Sequence, residues 1–157
     1  MVREQDHPDI SPMVHPPIVA LMILVMAYSL KRFVPLAYTP PEFLQVIGLA
    51  LTFVGSVLGI GAFIEFRKAH TTLNPHGSAK HLVTSGVYRF TRNPIYLGFL
   101  LMVIGLPLNS GSYWGLVMAP FYMMTMTHFI IEKEEAYLER KFGKAYASYT
   151  SRARRWL

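Results

Sequence analysis

Cysteine is absent from all 157 residues, which excludes disulfides, thiolate metal sites and a cysteine nucleophile. Charge is scarce too: Asp, Glu, Lys and Arg make up 15% of the chain, against roughly 25% in an ordinary soluble domain. The shortage is local. Residues 43–64 contain none of the four, and neither do residues 94–131. A charge at the centre of a bilayer costs at least ~2.5–3.5 kcal/mol, so such runs are what a membrane imposes. A secretory leader is also not expected. The first 17 residues are polar and punctuated by prolines, with no small-residue cleavage site after the first apolar run.

What remains is an apolar chain, 52% hydrophobic with a net charge of +6, of a length that suits one domain over residues 1–157. A basic balance can mark a nucleic-acid binder. Here the basic residues flank the apolar runs and are mixed with acids, so juxtamembrane contact with anionic lipid is the simpler reading.

A helix needs about 20 residues to cross a bilayer core. The apolar pattern predicts an all-α membrane bundle with spans at roughly 17–36, 43–66, 94–106 and 113–131. Pro40-Pro41 ends the first connection, and 106–112 reads as a turn. The third helix is short for a full crossing, since thirteen residues rise only about 20 Å. Gly55 and Gly59 form a small-xxx-small pair in the second span, which permits close packing, including a homodimer. Lys and Arg crowd the 67–93 loop and the tail after residue 131, so both are expected in the cytoplasm, with the N-terminus beside them. Lys31 and Arg32 sit awkwardly with that orientation. Strong helix formers from Glu132 onward predict that the fourth span continues out of the membrane, with residues 132–157 as a cytoplasmic helical extension.

Two cytoplasmic segments could carry chemistry. Asn93-Pro94 is a good N-cap and N1 pair, so the third helix should begin there with Arg89 and Arg92 beside its positive end. That place suits a carboxylate, although a capped helix beside lipid phosphates would look the same. In the second, Glu132, Glu135 and Glu139 share one helical face and Glu134 lies on the next. The distal glutamates read as solvated, but Glu134 and Glu135 need a partner beside an anionic membrane, and a cationic ligand would serve. His128, one turn before Glu132, reads as an interhelical hydrogen-bonding group or a base. His70, His76 and His81 show no metal-ligand spacing, so no metal is expected.

The runs His81-Leu82-Val83-Thr84-Ser85-Gly86-Val87-Tyr88 and Arg92-Asn93-Pro94-Ile95-Tyr96-Leu97-Gly98 resemble the isoprenylcysteine carboxyl methyltransferase and phospholipid methyltransferase superfamily. Glu134-Glu135-x-x-Leu138 and Phe142-Gly143-x-x-Tyr146-x-x-Tyr149 do as well. The segment from Ala69 to His76 and the Pro-Pro start of the first span look like its small bacterial members. The resemblance implies a multi-pass enzyme of a bacterial inner membrane that uses S-adenosylmethionine on a lipid-like or prenylated acceptor. It implies that Lys80, His81, Leu82, Val83 and Tyr88 line the adenosine side of the cofactor. Asn93, Pro94, Ile95, Tyr96 and Glu134 would hold the rest.

Arg92, Glu135 and His128 are the catalytic candidates: Arg92 for an anion, Glu135 or His128 as base if the acceptor is an amine. Asn93 stands where many members have histidine. Ile130 stands where the prenylcysteine enzymes keep a substrate arginine, which leaves the acceptor open. A non-catalytic scaffold or transporter subunit is the competing reading, with a lipid or sterol reductase as a third.

Overall fold

The computed structural model describes residues 8–10, 15–70 and 79–157. Six α-helices follow in order: α1 (Pro16–Phe33), α2 (Glu42–Lys68), α3 (Pro94–Asn109), α4 (Trp114–Met126), α5 (Glu132–Phe142) and α6 (Lys144–Thr150). A 3₁₀ turn at Gly86–Arg89 precedes α3, and a π-turn at Thr127–Ile131 joins α4 to α5 without a break. No strand occurs among the described residues; one isolated parallel bridge joins Thr91 to Arg154. The protein is an all-α membrane bundle. Three helical stretches are long and apolar enough to cross a membrane, Pro16–Phe33, Glu42–Lys68 and Trp114–Phe142, with α3 shorter.

The helix ends follow local chemistry. Proline occupies the first turn of both α1 and α3, where a missing N–H costs nothing. Glu42 begins α2 and Arg67 and Lys68 end it, each sign matched to the helix dipole. Inside α2, Thr52 and Ser56 donate to the carbonyls of Gly48 and Thr52 at 3.0 and 2.9 Å, so neither hydroxyl is left unpaired in an apolar setting.

The helix α3 runs three residues beyond the expected end, through Pro107 to Asn109. Pro107 falls in the last turn, where losing one backbone donor does not stop the helix. Sixteen residues rise about 24 Å. This short helix forms the centre of the bundle: Leu97, Leu100, Val103 and Leu108 are buried on it. The outer helices instead expose large apolar side chains such as Met22 (66%) and Phe53 (68%), as a lipid-facing surface would.

Glycine lets α2 and α3 approach closely. A Cβ on Gly48 would lie 2.7 Å from the carbonyl oxygen of Gly105, and one on Gly55 would lie 2.6 Å from that of Gly98. Both pairs sit seven residues apart on antiparallel helices, so they repeat along one seam. Gly55 is therefore consumed inside the chain, whereas a Cβ on Gly59 would meet nothing within 4 Å.

At one end of the bundle the helix termini are clamped together. The Lys31 ammonium donates to the Ser110 carbonyl and, at 3.3 Å, to its hydroxyl. Trp114 Nε1 donates to the Val34 carbonyl at 2.9 Å, and Asn109 Nδ2 to that of Gln45 at 3.0 Å. Lys31 thus has its partner in the α3–α4 turn. In the tail Gly143, a terminator by residue type, ends α5 and takes φ +48°; α6 follows, and residues 151–157 return to the start of α3.

Candidate functional site

A cavity opens at the other end, where α2, α3, α5 and α6 converge. It holds about 890 Å³ of empty space, counting its open mouth. Phe66 from the end of α2, together with His81, Leu82, Val83 and Tyr88 from the connecting loop, forms one wall. Arg92, Asn93, Ile95 and Tyr96 enter from the start of α3, and Glu134, Glu135, Tyr137 and Leu138 from α5. Tyr146 and Tyr149 of α6 complete the lining together with Pro8.

Most of the residues singled out in the sequence meet here. Of the residues put forward for the cofactor and the chemistry, three do not line the cavity. Pro94 is fully buried beneath it as the first residue of α3. Lys80 is exposed on the loop next to it. The His128 side chain is 76% exposed and lies 3.4 Å from Glu132, so its ring stands apart from the site. The residues 71–76 of the expected signature lie outside the described residues.

The polar groups are arranged in two sets. Tyr96 donates its hydroxyl to Glu134 Oε1 at 2.8 Å, and Tyr122 donates to the Tyr96 carbonyl at 3.2 Å. Glu134 has this neutral donor, whereas Glu135 has two cations. Arg155 holds Glu135 through Nε and Nη2 at 3.1 and 2.6 Å, and Arg92 Nη2 approaches Oε1 at 3.2 Å. These hydrogen bonds hold the Arg155 guanidinium above its ordinary pKa. The sequence left both carboxylates needing a positive partner; the fold supplies one to Glu135 from within the chain.

Asn93 corrects a second expectation. The helix begins after it, but its side chain makes no cap. Instead Nδ2 donates to the Arg155 carbonyl at 2.8 Å, and the Asn93 N–H donates to Thr91 Oγ1 at 3.2 Å. The first helical bond of α3, Leu97 N–H to the Asn93 carbonyl, is in place at 2.9 Å.

Aromatic side chains give the cavity its remaining surface. Tyr149 donates to the Tyr88 carbonyl at 2.7 Å, which fixes α6 to the loop. Burial pushes both phenols well above their ordinary pKa, so both stay neutral. The Tyr146 phenol, raised by burial to about 12, stays neutral as well. Phe66 and Tyr88 pack with ring centroids 5.5 Å apart. Tyr137 accepts the Ala79 N–H at 2.9 Å, tying the loop to α5.

Arg155, Tyr137 and Phe66 belong to the site without a motif in the sequence that marks them. Tyr146, Tyr149 and Ala153 recur at three- and four-residue spacing with Phe142, an apolar stripe that marks a buried face. Arg155 has no such mark among Arg152, Arg154 and Arg155.

The cavity can take a ligand that carries charge of both signs beside an apolar ring. Arg92 Nε is buried and makes no hydrogen bond among the described residues, a costly state for a cationic donor unless an anion meets it. Glu134 offers a carboxylate with no cation paired to it among the described residues. The loop and α6 offer flat apolar surface. S-adenosylmethionine, with its carboxylate, positive sulfonium and ammonium, and adenine ring, fits that donor and acceptor set.

Residues 43–145 match the phospholipid methyltransferase family. The chain is 27% identical over 143 residues to a probable protein-S-isoprenylcysteine O-methyltransferase of Oryza sativa, covering 83% of this chain and 72% of the rice protein. It is 31% identical over 110 residues to protein-S-isoprenylcysteine O-methyltransferase B of Arabidopsis thaliana, covering 67% of this chain and 54% of that one. With the Schizosaccharomyces pombe protein-S-isoprenylcysteine O-methyltransferase it shares 28% identity over 112 residues, 67% of this chain and 45% of the yeast protein.

Proposed function

The chain belongs to the phospholipid methyltransferase family, and from that premise we propose that it transfers the methyl group of S-adenosylmethionine to a hydrophobic acceptor in the membrane. The observation that carries this reading is the presence in one cavity of Glu134, held by Tyr96, and of Arg92, whose buried Nε has no partner among the described residues. When bound, S-adenosylmethionine supplies a methyl group already activated on a sulfonium.

The residues of the chain bind and orient. Arg92 meets the carboxylate of the methionyl part through charge-assisted hydrogen bonds, and Glu134 balances the positive charge. Tyr96 keeps Glu134 aimed into the cavity. His81, Leu82, Val83 and Tyr88 take the adenosine, with Lys80 at the rim, while Asn93, Pro94 and Ile95 shape the floor. The donor would supply its methyl group for an in-line displacement, and what these residues would contribute is alignment of donor and acceptor.

The acceptor is of the isoprenylcysteine carboxylate or phospholipid amine type. A carboxylate needs no base. An amine must first lose a proton, and Glu135, whose two oxygens are held by Arg92 and Arg155, is poorly placed to take it. His128 stands off the cavity and has no role in this scheme. The apolar outer faces of α1 and α2 would hold the bundle in the bilayer, with the cavity at one end of it, within reach of acceptors from the membrane surface. The basic 67–93 loop and tail favour a cytoplasmic face for the site, in a bacterial inner membrane.

Purified protein given S-adenosylmethionine with a radiolabelled methyl group and a bacterial lipid extract is expected to label a lipid-soluble product. Base-labile label indicates a methyl ester, and base-stable label an N-methyl headgroup. Absence of cofactor binding by the wild type, with Glu134→Ala equally inert, would refute the reading.

A further inference from the structure

The last residues of the chain address the site directly. The Arg92 N–H donates to the Arg154 carbonyl at 2.8 Å. The next carbonyl, that of Arg155, accepts Asn93 Nδ2 at 2.8 Å and Thr91 Oγ1 at 3.3 Å. From this strap the Arg155 side chain crosses to α5 and grips both oxygens of Glu135. Trp156 Nε1 donates to Thr127 Oγ1 at 3.3 Å and pins the strap to the π-turn.

Glu135 carries one negative charge and faces two guanidinium groups. Arg155 makes the two-pronged contact, at 3.1 and 2.6 Å, and a fork of this kind is the stronger bond. Arg92 makes a single contact at 3.2 Å. Most of the charge on Glu135 is therefore spent on Arg155, and Arg92 keeps positive charge to offer elsewhere. Glu132 lies 3.9 Å from Arg155 Nη1 and more exposed to solvent, so it competes weakly for the same cation.

We propose that Arg155 is a positioning residue: by holding Glu135 through the C-terminal strap, it leaves Arg92 free to bind the carboxylate of the methyl donor. The inference rests on the methyl-transfer reading above. Remove Arg155, and Glu135 draws Arg92 into a full pair, withdrawing it from the ligand. Neutralise Glu135 as well, and Arg92 is released again.

The test uses the full chain in nanodiscs and two ligands, S-adenosylmethionine and methylthioadenosine, which lacks the amino-acid part. Arg155→Ala is expected to weaken S-adenosylmethionine about tenfold and methylthioadenosine less than twofold. The double variant Arg155→Ala/Glu135→Gln should recover most of the lost affinity. Equal weakening of both ligands, or a double variant no better than Arg155→Ala, overturns the proposal. Arg155→Lys replaces Arg155→Ala should the latter not fold, with a smaller loss confined to the same ligand.

If the wild type binds neither ligand, the methyl-transfer reading fails, and hydrogen exchange judges the strap alone. About tenfold faster exchange of the Arg92 amide in Arg155→Ala then supports the strap as the element that holds this segment. Unchanged exchange rejects it.

Discussion

The hydroxyl of Tyr96 on α3 donates to Glu134 Oε1 on α5 at 2.8 Å. This bond joins two helices and holds a carboxylate that lines the cavity. Tyr96→Phe removes one hydrogen bond to a charged group, worth about 1.5–3 kcal/mol. S-adenosylmethionine binding by calorimetry should weaken at least tenfold in Tyr96→Phe, and more in Glu134→Gln, which removes the charge. Unchanged affinity in both would show that Glu134 does not face the cofactor.

The α2–α3 seam predicts a contrast between two glycines of one helix. Gly55→Leu would drive a side chain into the Gly98 carbonyl, an overpacking that typically costs about 1–3 kcal/mol and more against rigid backbone. Gly59→Leu meets open space. Thermal unfolding in detergent should fall by many degrees for the first and barely move for the second. A homodimer built through Gly59 would reveal itself as loss of dimer in Gly59→Leu without loss of folded protein.

Tyr149 links α6 to the loop through the Tyr88 carbonyl. Tyr149→Phe leaves that buried carbonyl without its donor, at about 1–3 kcal/mol. Faster proteolysis of the 79–93 segment, with α1 and α2 unaffected, is the expected result. An unaltered cleavage pattern would mean that the loop is held by other contacts.

The missing cysteines make the orientation simple to measure. Tyr38 is 82% exposed in the α1–α2 connection, and Thr84 is exposed in the loop beside the cavity. In intact cells, an impermeant maleimide should label Tyr38→Cys and spare Thr84→Cys until the membrane is opened. The reverse pattern would place the cavity outside.

Sequence and structure agree where a single side chain or an uncharged run carries the signal. The gaps in charge at 43–64 and 94–131 located the apolar helices, and Pro94 located the start of α3. Tyr96 and Glu134 each stand in a recognisable motif, but no pattern in the chain says that one donates to the other. Arg155 was hidden for a different reason. Its position depends on backbone carbonyls accepting from Arg92 and Asn93, and a carbonyl has no residue type to recognise. Asn93 had two competing uses for its side chain, a cap and a tail contact, and only packing of the tail decided between them. Lys31 looked misplaced as a lipid-facing charge because its partner lies in the α3–α4 turn, 79 residues away.

The π-turn at Thr127–Ile131 fixes a phase relation along the longest helical rod in the molecule. Tyr122 and Glu134 both reach Tyr96, although twelve residues at about 100° each would leave them about 120° apart in a regular α-helix. The wider turn takes back most of that rotation. Lipid-facing residues upstream of it can therefore be exchanged for other apolar ones, but the count of residues cannot change. Deleting any one of the five would swing Glu134 and Glu135 out of phase with Tyr96 and Arg92 while leaving the hydropathy of the span untouched.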